Sequence, residues 1–232
     1  MQPRSRPARH WVVGDVHGCA ESLHRLVSLL PADDRLVLCG DVINRGPQIR
    51  RAMELAWDLV RSGRAVWLQG NHEADLVADL RRDDPQSLTR LAGCDTYRQL
   101  GGPLCRLWRR RLESLPSVYP GRGWVATHAG FDPHSWQPDL NIRAPFWHAY
   151  DGRYGQVVVG HTPGLSVRRH GAIVMVDTGA CYGGELTAYC PETSALVRVP
   201  GPQPALPPAL PPAMRAQLES LQAKPPLLGA PR

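Results

Sequence analysis

Gly14-Asp15-Val16-His17-Gly18, Gly40-Asp41-Val42-Ile43-Asn44-Arg45-Gly46 and Gly70-Asn71-His72-Glu73 are three blocks of one kind. Each follows a short aliphatic run (Trp11-Val12-Val13, Leu36-Val37-Leu38, Val66-Trp67-Leu68) and precedes a helical pattern, so each marks a strand running into a loop. Open α/β sheets place their ligands at such strand ends. Two later blocks repeat the design: Val125-Ala126-Thr127-His128-Ala129-Gly130 and Val157-Val158-Val159-Gly160-His161-Thr162. Five strand ends therefore direct Asp15, His17, Asp41, Asn71, His128 and His161 towards one edge.

These six side chains form a mixed oxygen and nitrogen donor set, which suits borderline first-row ions better than calcium. Six donors exceed what one tetrahedral zinc needs and match two ions sharing a carboxylate. Asp15 and His17 are two apart, so in extended chain they point the same way and can share an ion.

The ordered blocks GDVHG, GDVINRG, GNHE, HAG and GHT resemble the calcineurin-like metallophosphoesterases of phosphoprotein-phosphatase type. By pattern the chain is similar to small bacterial Ser/Thr phosphatases and to symmetrical dinucleoside tetraphosphate hydrolases. The resemblance covers roughly residues 10 to 190. It implies an α/β fold, a four-layer αββα sandwich of two mixed sheets in a single domain. It also implies two divalent ions, manganese first, with iron, zinc, nickel or cobalt as alternatives. Asp41 would bridge them, Asp15 and His17 would complete one site, and Asn71, His128 and His161 the other. Two such ions, roughly 3.5–4 Å apart, hold a hydroxide in line with a phosphoryl group.

Charge developing on the phosphoryl oxygens calls for fixed cations, and the planar fork of arginine binds two oxygens at once. Arg45, inside the second block, is the first candidate. Arg143 resembles the family's second phosphate clamp, with Arg153 as the alternative. His72 follows the ligand Asn71 directly and fits a general acid for the leaving oxygen. Tyr182, in the late Asp177-Thr178-Gly179-Ala180-Cys181-Tyr182 loop, either contacts substrate or shapes a turn.

The chain departs from the family at Asn44, where the phosphatases mostly carry Asp. A carboxylate there orients the histidine and favours its charged form; an amide can orient it but supplies no charge. This leans towards leaving groups that are weak bases: aryl phosphates, phosphotyrosine or a nucleotide phosphoanhydride. The phosphatase reading stands ahead, with hydrolysis of diadenosine tetraphosphate as the alternative. A reading of another class is a non-catalytic metal-binding scaffold, which retention of His72 and Arg45 disfavours.

The 232 residues suffice for one domain with a sizeable core, and 43% hydrophobic with 21% charged residues is ordinary for a globular protein. The net charge of +6 reflects arginines such as Arg81-Arg82 and Arg109-Arg110-Arg111, which read as solvated helix faces that attract phosphorylated substrates. Nucleic acid is accordingly a disfavoured partner; a phosphorylated protein or a nucleotide is the expected substrate. No apolar run reaches the length of a membrane span and no signal-peptide core is apparent. Six cysteines without a CxxC pair suggest free thiols in the reducing cytoplasm, with a Cys94–Cys105 bridge left open. His10, His24, His134, His148 and His170 lack a motif context and read as surface or core residues.

The expected organisation is a basic lead-in over residues 1–9, the catalytic domain over 10–199 and a Pro-rich tail over 200–232. Apolar stripes predict helices after the first and second blocks, the first closed by Pro31. Residues 74–115 read as two or three short helices capping the site, broken at Pro85, Gly93 and Gly101-Gly102-Pro103. Strands are expected over 124–127, 156–159, 172–176, 186–190 and 195–199, the last three pairing antiparallel. The tail, centred on PALPPALPPA, favours extended polyproline conformation and reads as loosely ordered with a short helix over 214–223; any partner for it is left open.

Overall fold

The computed structural model describes residues 8–82, 84–203 and 210–222. Three β-α steps open the chain: β1 (His10–Val13), α1 (Ala20–Leu29), β2 (Arg35–Leu38), α2 (Ile49–Arg61), β3 (Ala65–Trp67) and α3 (Asn71–Arg81). Helices α4 (Pro85–Gly93), α5 (Asp95–Leu100) and α6 (Gly102–Glu113) follow. The second half contains β4 (Val118–Pro120), β5 (Trp124–Thr127), β6 (Gly130–Phe131), β7 (Pro138–Asp139), α7 (Ala144–Ala149), β8 (Gln156–Val159), β9 (Arg168–His170) and β10 (Ile173–Met175). A 3-10 turn over Ala180–Tyr182 leads to β11 (Glu185–Cys190) and β12 (Ala195–Pro200), and α8 (Pro212–Gln222) ends the described chain.

One sheet has the order β12-β11-β1-β2-β3 and the other β4-β5-β8-β10-β9. The alternation of side chains along each strand builds three apolar layers from these two sheets. Trp11, Val13, Leu36 and Leu38 face the helices α1 and α2, while Val12 and Val37 meet Ala126, Val158 and Val174 between the sheets. Val125, Val157, Val159, Ile173 and Met175 face outwards onto Phe131 and Phe146, the latter from α7. Helix α2 buries Ile49, Ala52, Met53, Ala56 and Leu59, the spacing of a single helical face. The result is the four-layer αββα sandwich of two mixed sheets, its outer layer over the second sheet being thin.

Register decides where the site forms. Val13 lies opposite Leu38 and Leu38 opposite Trp67, so the loops carrying Asp15, Asp41 and Asn71 leave the first sheet at one level. Thr127 lies opposite Val159, which does the same for His128 and His161 in the second sheet.

Several elements differ from expectation. Strand β10 does not pair with β11; it joins β8 in parallel, while β11 and β12 pair antiparallel in the other sheet. All three β10 residues are buried, as an interior strand covered on both faces requires. The helical region begins at Asn71 rather than Ala74 because Glu73 accepts from the Gly70 N–H at 2.9 Å, capping α3. Four helices, not two or three, occupy 71–113. The edge strands β4 and β9 and the short α7 are additions that a weak apolar pattern conceals.

The helix anticipated at Met214 is present, and it lies against the domain. Met214 is buried, packed where the left-handed turn at Gly179 leaves no room for a Cβ. Gln217 Oε1 accepts from the Leu165 N–H at 2.6 Å. Residues 1–7 of the lead-in, 204–209 of the PALPPALPPA run and 223–232 of the tail lie outside the described residues. All six cysteines, Cys94 and Cys105 included, are unpaired.

Candidate metal centre

Asp41 sits at the middle of the donor set and belongs to two groups of close atoms. Its carboxylate, His17 and His72 offer atoms within 4.8 Å of one another, and so do Asp41, His128 and His161. Asp41 Oδ2 lies 3.7 Å from His17 Nε2, 3.6 Å from His128 Nε2 and 3.8 Å from His72 Nε2. Asp15 Oδ2 is 3.8 Å from His17 Nε2, and the Asp15 carboxylate accepts from the His161 N–H at 3.0 Å. Asn71 Oδ1 stands 3.0 Å from His128 Nε2 and 3.1 Å from His161 Nδ1.

Ring orientation is set from behind. His17 Nδ1–H donates to the Ile43 carbonyl at 2.9 Å and His128 Nδ1–H to the Cys39 carbonyl at 2.7 Å. Each ring then turns the lone pair of Nε2 inwards, the tautomer a metal ligand needs. Burial drives His17 well below the ordinary histidine range, His128 to about 4 and His161 to about 3, so all three are neutral donors at pH 7. His161 Nε2 is buried with no hydrogen-bond partner among the described residues. Two buried carboxylates, an amide oxygen and neutral imidazoles together fit divalent ions of the borderline class.

The carboxylates answer in the opposite direction. Burial lifts Asp41 to about 7 and Asp177 to about 6, and takes Asp15 well above the carboxylate range with Asp177 and Asp41 adding repulsion. So much buried negative charge is unfavourable alone and is relieved by dications. His17, Asp41, Asn44, Arg45 and His161 all take left-handed backbone, φ between 43° and 69°. Each costs on the order of 1 kcal/mol in a non-glycine residue, strain that clusters at functional sites. Close approach explains two glycines: a Cβ at Gly70 or at Gly160 would come within 2.1 Å of Asp41 Oδ1 or Asp15 Oδ1.

Around the donors lies a cavity of about 130 Å³ lined by Arg45, Asn71, His72, Arg143, His161 and Tyr182, among others. Arg45 approaches His72 Nε2 at 3.2 Å and donates through Nη1 to the Tyr182 hydroxyl, whose ring it also overlies at 5.5 Å. Tyr182 thus steers Arg45. Arg143 faces the same cavity, whereas Arg153 is clamped to Asp151 at 2.7 Å and lies 3.6 Å over Trp136. Arg153 is therefore committed elsewhere. A larger recess of about 490 Å³ adjoins the cavity at His72 and Asn44, between α3 and α4.

Two residues of the site escaped the sequence reading as contributors. Fully buried Glu73 accepts from the backbone N–H groups of Asp41 and Val42, both at 2.8 Å, and of Gly70 at 2.9 Å, holding the Asp41 loop in place. Its position three residues after Gly70 is the signal of a capping box. Asp177 reaches the cavity from the loop after β10, and nothing local marks it out.

The calcineurin-like phosphoesterase family matches residues 8–182. Serine/threonine-protein phosphatase 1 of Salmonella typhimurium is 28% identical over 205 residues, covering 77% of this chain and 90% of that protein. The symmetrical bis(5'-nucleosyl)-tetraphosphatase of Xylella fastidiosa is 32% identical over 133 residues, 53% of this chain but only 42% of that protein. The chain spans half the length of the corresponding Ralstonia nicotianae enzyme, at 29% identity over 148 residues and 60% of this chain. Among solved structures, a metallophosphoesterase from Sphaerobacter thermophilus shares the fold at TM-score 0.54 and 19% identity, covering 92% of this chain and 94% of that one. A serine/threonine phosphatase from Saccharomyces cerevisiae does so at TM-score 0.58 and 14% identity, covering 88% and 82%. Site chemistry, fold and family agree: the chain belongs to the calcineurin-like phosphoesterases, hydrolases of phosphoric ester and anhydride bonds that use divalent metal ions.

Proposed function

We propose that this phosphoesterase hydrolyses phosphomonoesters on protein side chains with two divalent ions, manganese first. The observation that carries the reading is the position of Asp41, common to two donor groups, with Arg45 and His72 at the same cavity. Asp15, His17 and Asp41 would hold one ion, and Asp41, Asn71, His128 and His161 the other. When bound, such ions supply an activated water and polarise the phosphoryl oxygens.

The chain's own residues do the rest. Arg45, steadied by Tyr182, and Arg143 bind the phosphoryl oxygens and meet the charge that builds on them. His72 gives the proton on Nε2 to the leaving oxygen, so the leaving group departs on the His72 side. There the recess between α3 and α4 offers room for a polypeptide. Coverage of 90% of the Salmonella phosphatase supports a protein substrate over a dinucleotide.

Asn44 supports the second reading, symmetrical dinucleoside tetraphosphate hydrolysis, because a phosphoanhydride needs little protonation of its leaving group. Turnover of a phosphoserine peptide, para-nitrophenyl phosphate and diadenosine tetraphosphate with manganese separates the two. A phosphoester preference is expected, and a preference for the dinucleotide reverses the order. Chelation with the fold intact by circular dichroism tests the scaffold alternative: activity must vanish. No described helix is long and apolar enough to cross a membrane, and six unpaired cysteines suit the cytoplasm.

A further inference from the structure

The recess between α3 and α4, about 490 Å³, opens from the cavity around the donors, since His72 lines both. One face of α3, continued by its C-cap, forms the wall: His72, Asp75, Asp79 and Arg82 recur at steps of three and four, the spacing of neighbours on a helix. Leu76 and Leu91, both buried, give the recess an apolar floor. From His72 to Arg82 the helix rises about 15 Å, the reach of about four or five extended residues.

The charges along this wall are ordered. Asp79 is committed to Arg90, at 2.7 Å, and Arg90 also donates to Ser87 Oγ at 3.0 Å. That leaves Asp75 one turn from His72 and Arg82 at the far end. Both are exposed, and neither side chain forms an ion pair or hydrogen bond among the described residues. The neighbouring Asp84 is turned to the start of α4, where it accepts from the Ser87 N–H at 2.7 Å.

In a phosphoserine the backbone stands one carbon beyond the leaving oxygen, so the adjacent residue falls about one helical turn from His72, beside Asp75. A nucleoside diphosphate leaving on that side would bring its second phosphate to the same place, against a carboxylate. We propose that the recess is the subsite for the polypeptide flanking the phosphorylated residue: Asp75 takes a basic side chain next to that residue, and Arg82 takes an acidic one about four positions away. This deepens the proposed function and rests on its leaving group departing on the His72 side. Like charges at either place are repelled, so selectivity comes from repulsion as much as from attraction.

Phosphoserine peptides that differ only in carrying Lys or Glu next to the phosphoserine, on either side, test the subsite with manganese present. The wild type is expected to favour Lys by about fivefold in kcat/KM at low salt, with the preference shrinking in about 1 M salt. Asp75→Asn should bring that ratio close to one, and Asp75→Lys should invert it. A second pair, with Lys or Glu four positions away, should show the opposite preference, and Arg82→Gln should remove it. Each preference is a ratio within one variant, so a general loss of activity or stability leaves it readable. No charge preference in the wild type, or a ratio unchanged by its substitution, overturns the subsite while leaving the phosphatase reading standing. Cleavage of para-nitrophenyl phosphate or diadenosine tetraphosphate but of no phosphopeptide refutes the proposed function, and the subsite falls with it.

Discussion

At the scale of single residues, the site is governed by which atoms are left without a partner and which are over-determined. The Asn44 amide is over-determined, with three donors on its oxygen. An Asn44→Asp variant keeps those donors on one carboxylate oxygen and turns the other to His72, which then carries a proton on both nitrogens. Hydrolysis of phosphoserine peptide is expected to rise about tenfold relative to para-nitrophenyl phosphate, read as a ratio of kcat/KM values. An unchanged ratio would remove the leaving-group argument. Asp41 is the opposite case, a buried carboxylate shared by two donor groups. Asp41→Asn is expected to cut metal-dependent turnover by about a hundredfold or more, with manganese uptake by equilibrium dialysis falling in parallel. Retained uptake of two ions per chain would contradict the bridging role.

At the scale of elements, the start of α3 is where stability and function meet. Its Glu73 is an acceptor for backbone donors on the Asp41 loop and on its own helix. Glu73→Ala strands those buried N–H groups and is expected to cost about 3 kcal/mol, lowering the thermal midpoint by roughly 6–12 °C. Because the loop also carries Asp41, manganese affinity should weaken roughly tenfold, measured by titration below the melting range. A loss of stability without loss of affinity would mean that the helix cap, and not the loop, is what Glu73 serves. Helix α8 is a second such element: its Met214 and Gln217 brace the loops after β10 and after His161.

At the scale of the whole molecule, two sheets converge their strand ends on one edge and bury acids whose ionised forms burial disfavours. Asp177, Asp41 and Glu73 are raised to about 6, 7 and 8, chiefly by burial. A folded state that holds its protons more tightly than the unfolded chain is stabilised at low pH and loses that stabilisation as pH rises from the unfolded pKa, near 4, to those values. Metal-free protein should therefore lose stability from about pH 4, where these acids ionise in the unfolded chain, up to about pH 8, by about 1.4 kcal/mol per pH unit for each additional proton retained. The rise in thermal midpoint on adding manganese should grow over the same range, since ions bind the deprotonated acids. Calorimetry with and without chelator checks both, and a gain that shrank with pH would contradict the account.

Much of this was legible in the chain. The ordered Gly-Asp, Gly-Asn-His and Gly-His blocks marked six candidate donors that the fold brings to one edge, and local apolar alternation marked the strands that carry them, because ligand chemistry and strand period are properties of a few adjacent residues. Pairing was not: β10 reads like a hairpin partner of β11 yet lies in the other sheet, since burial on both faces, a long-range condition, chose its neighbour. The same limit hid Asp177, Arg153's capture by Asp151 and the grip of Thr96 on Asn44, contacts between residues distant along the chain or set by local geometry alone. The sequence by itself determined which atoms can bind metal and phosphate, because those are fixed by side-chain identity. Only the tertiary structure decided which way each amide and imidazole faces, because the direction of a hydrogen bond depends on what the rest of the fold brings behind it.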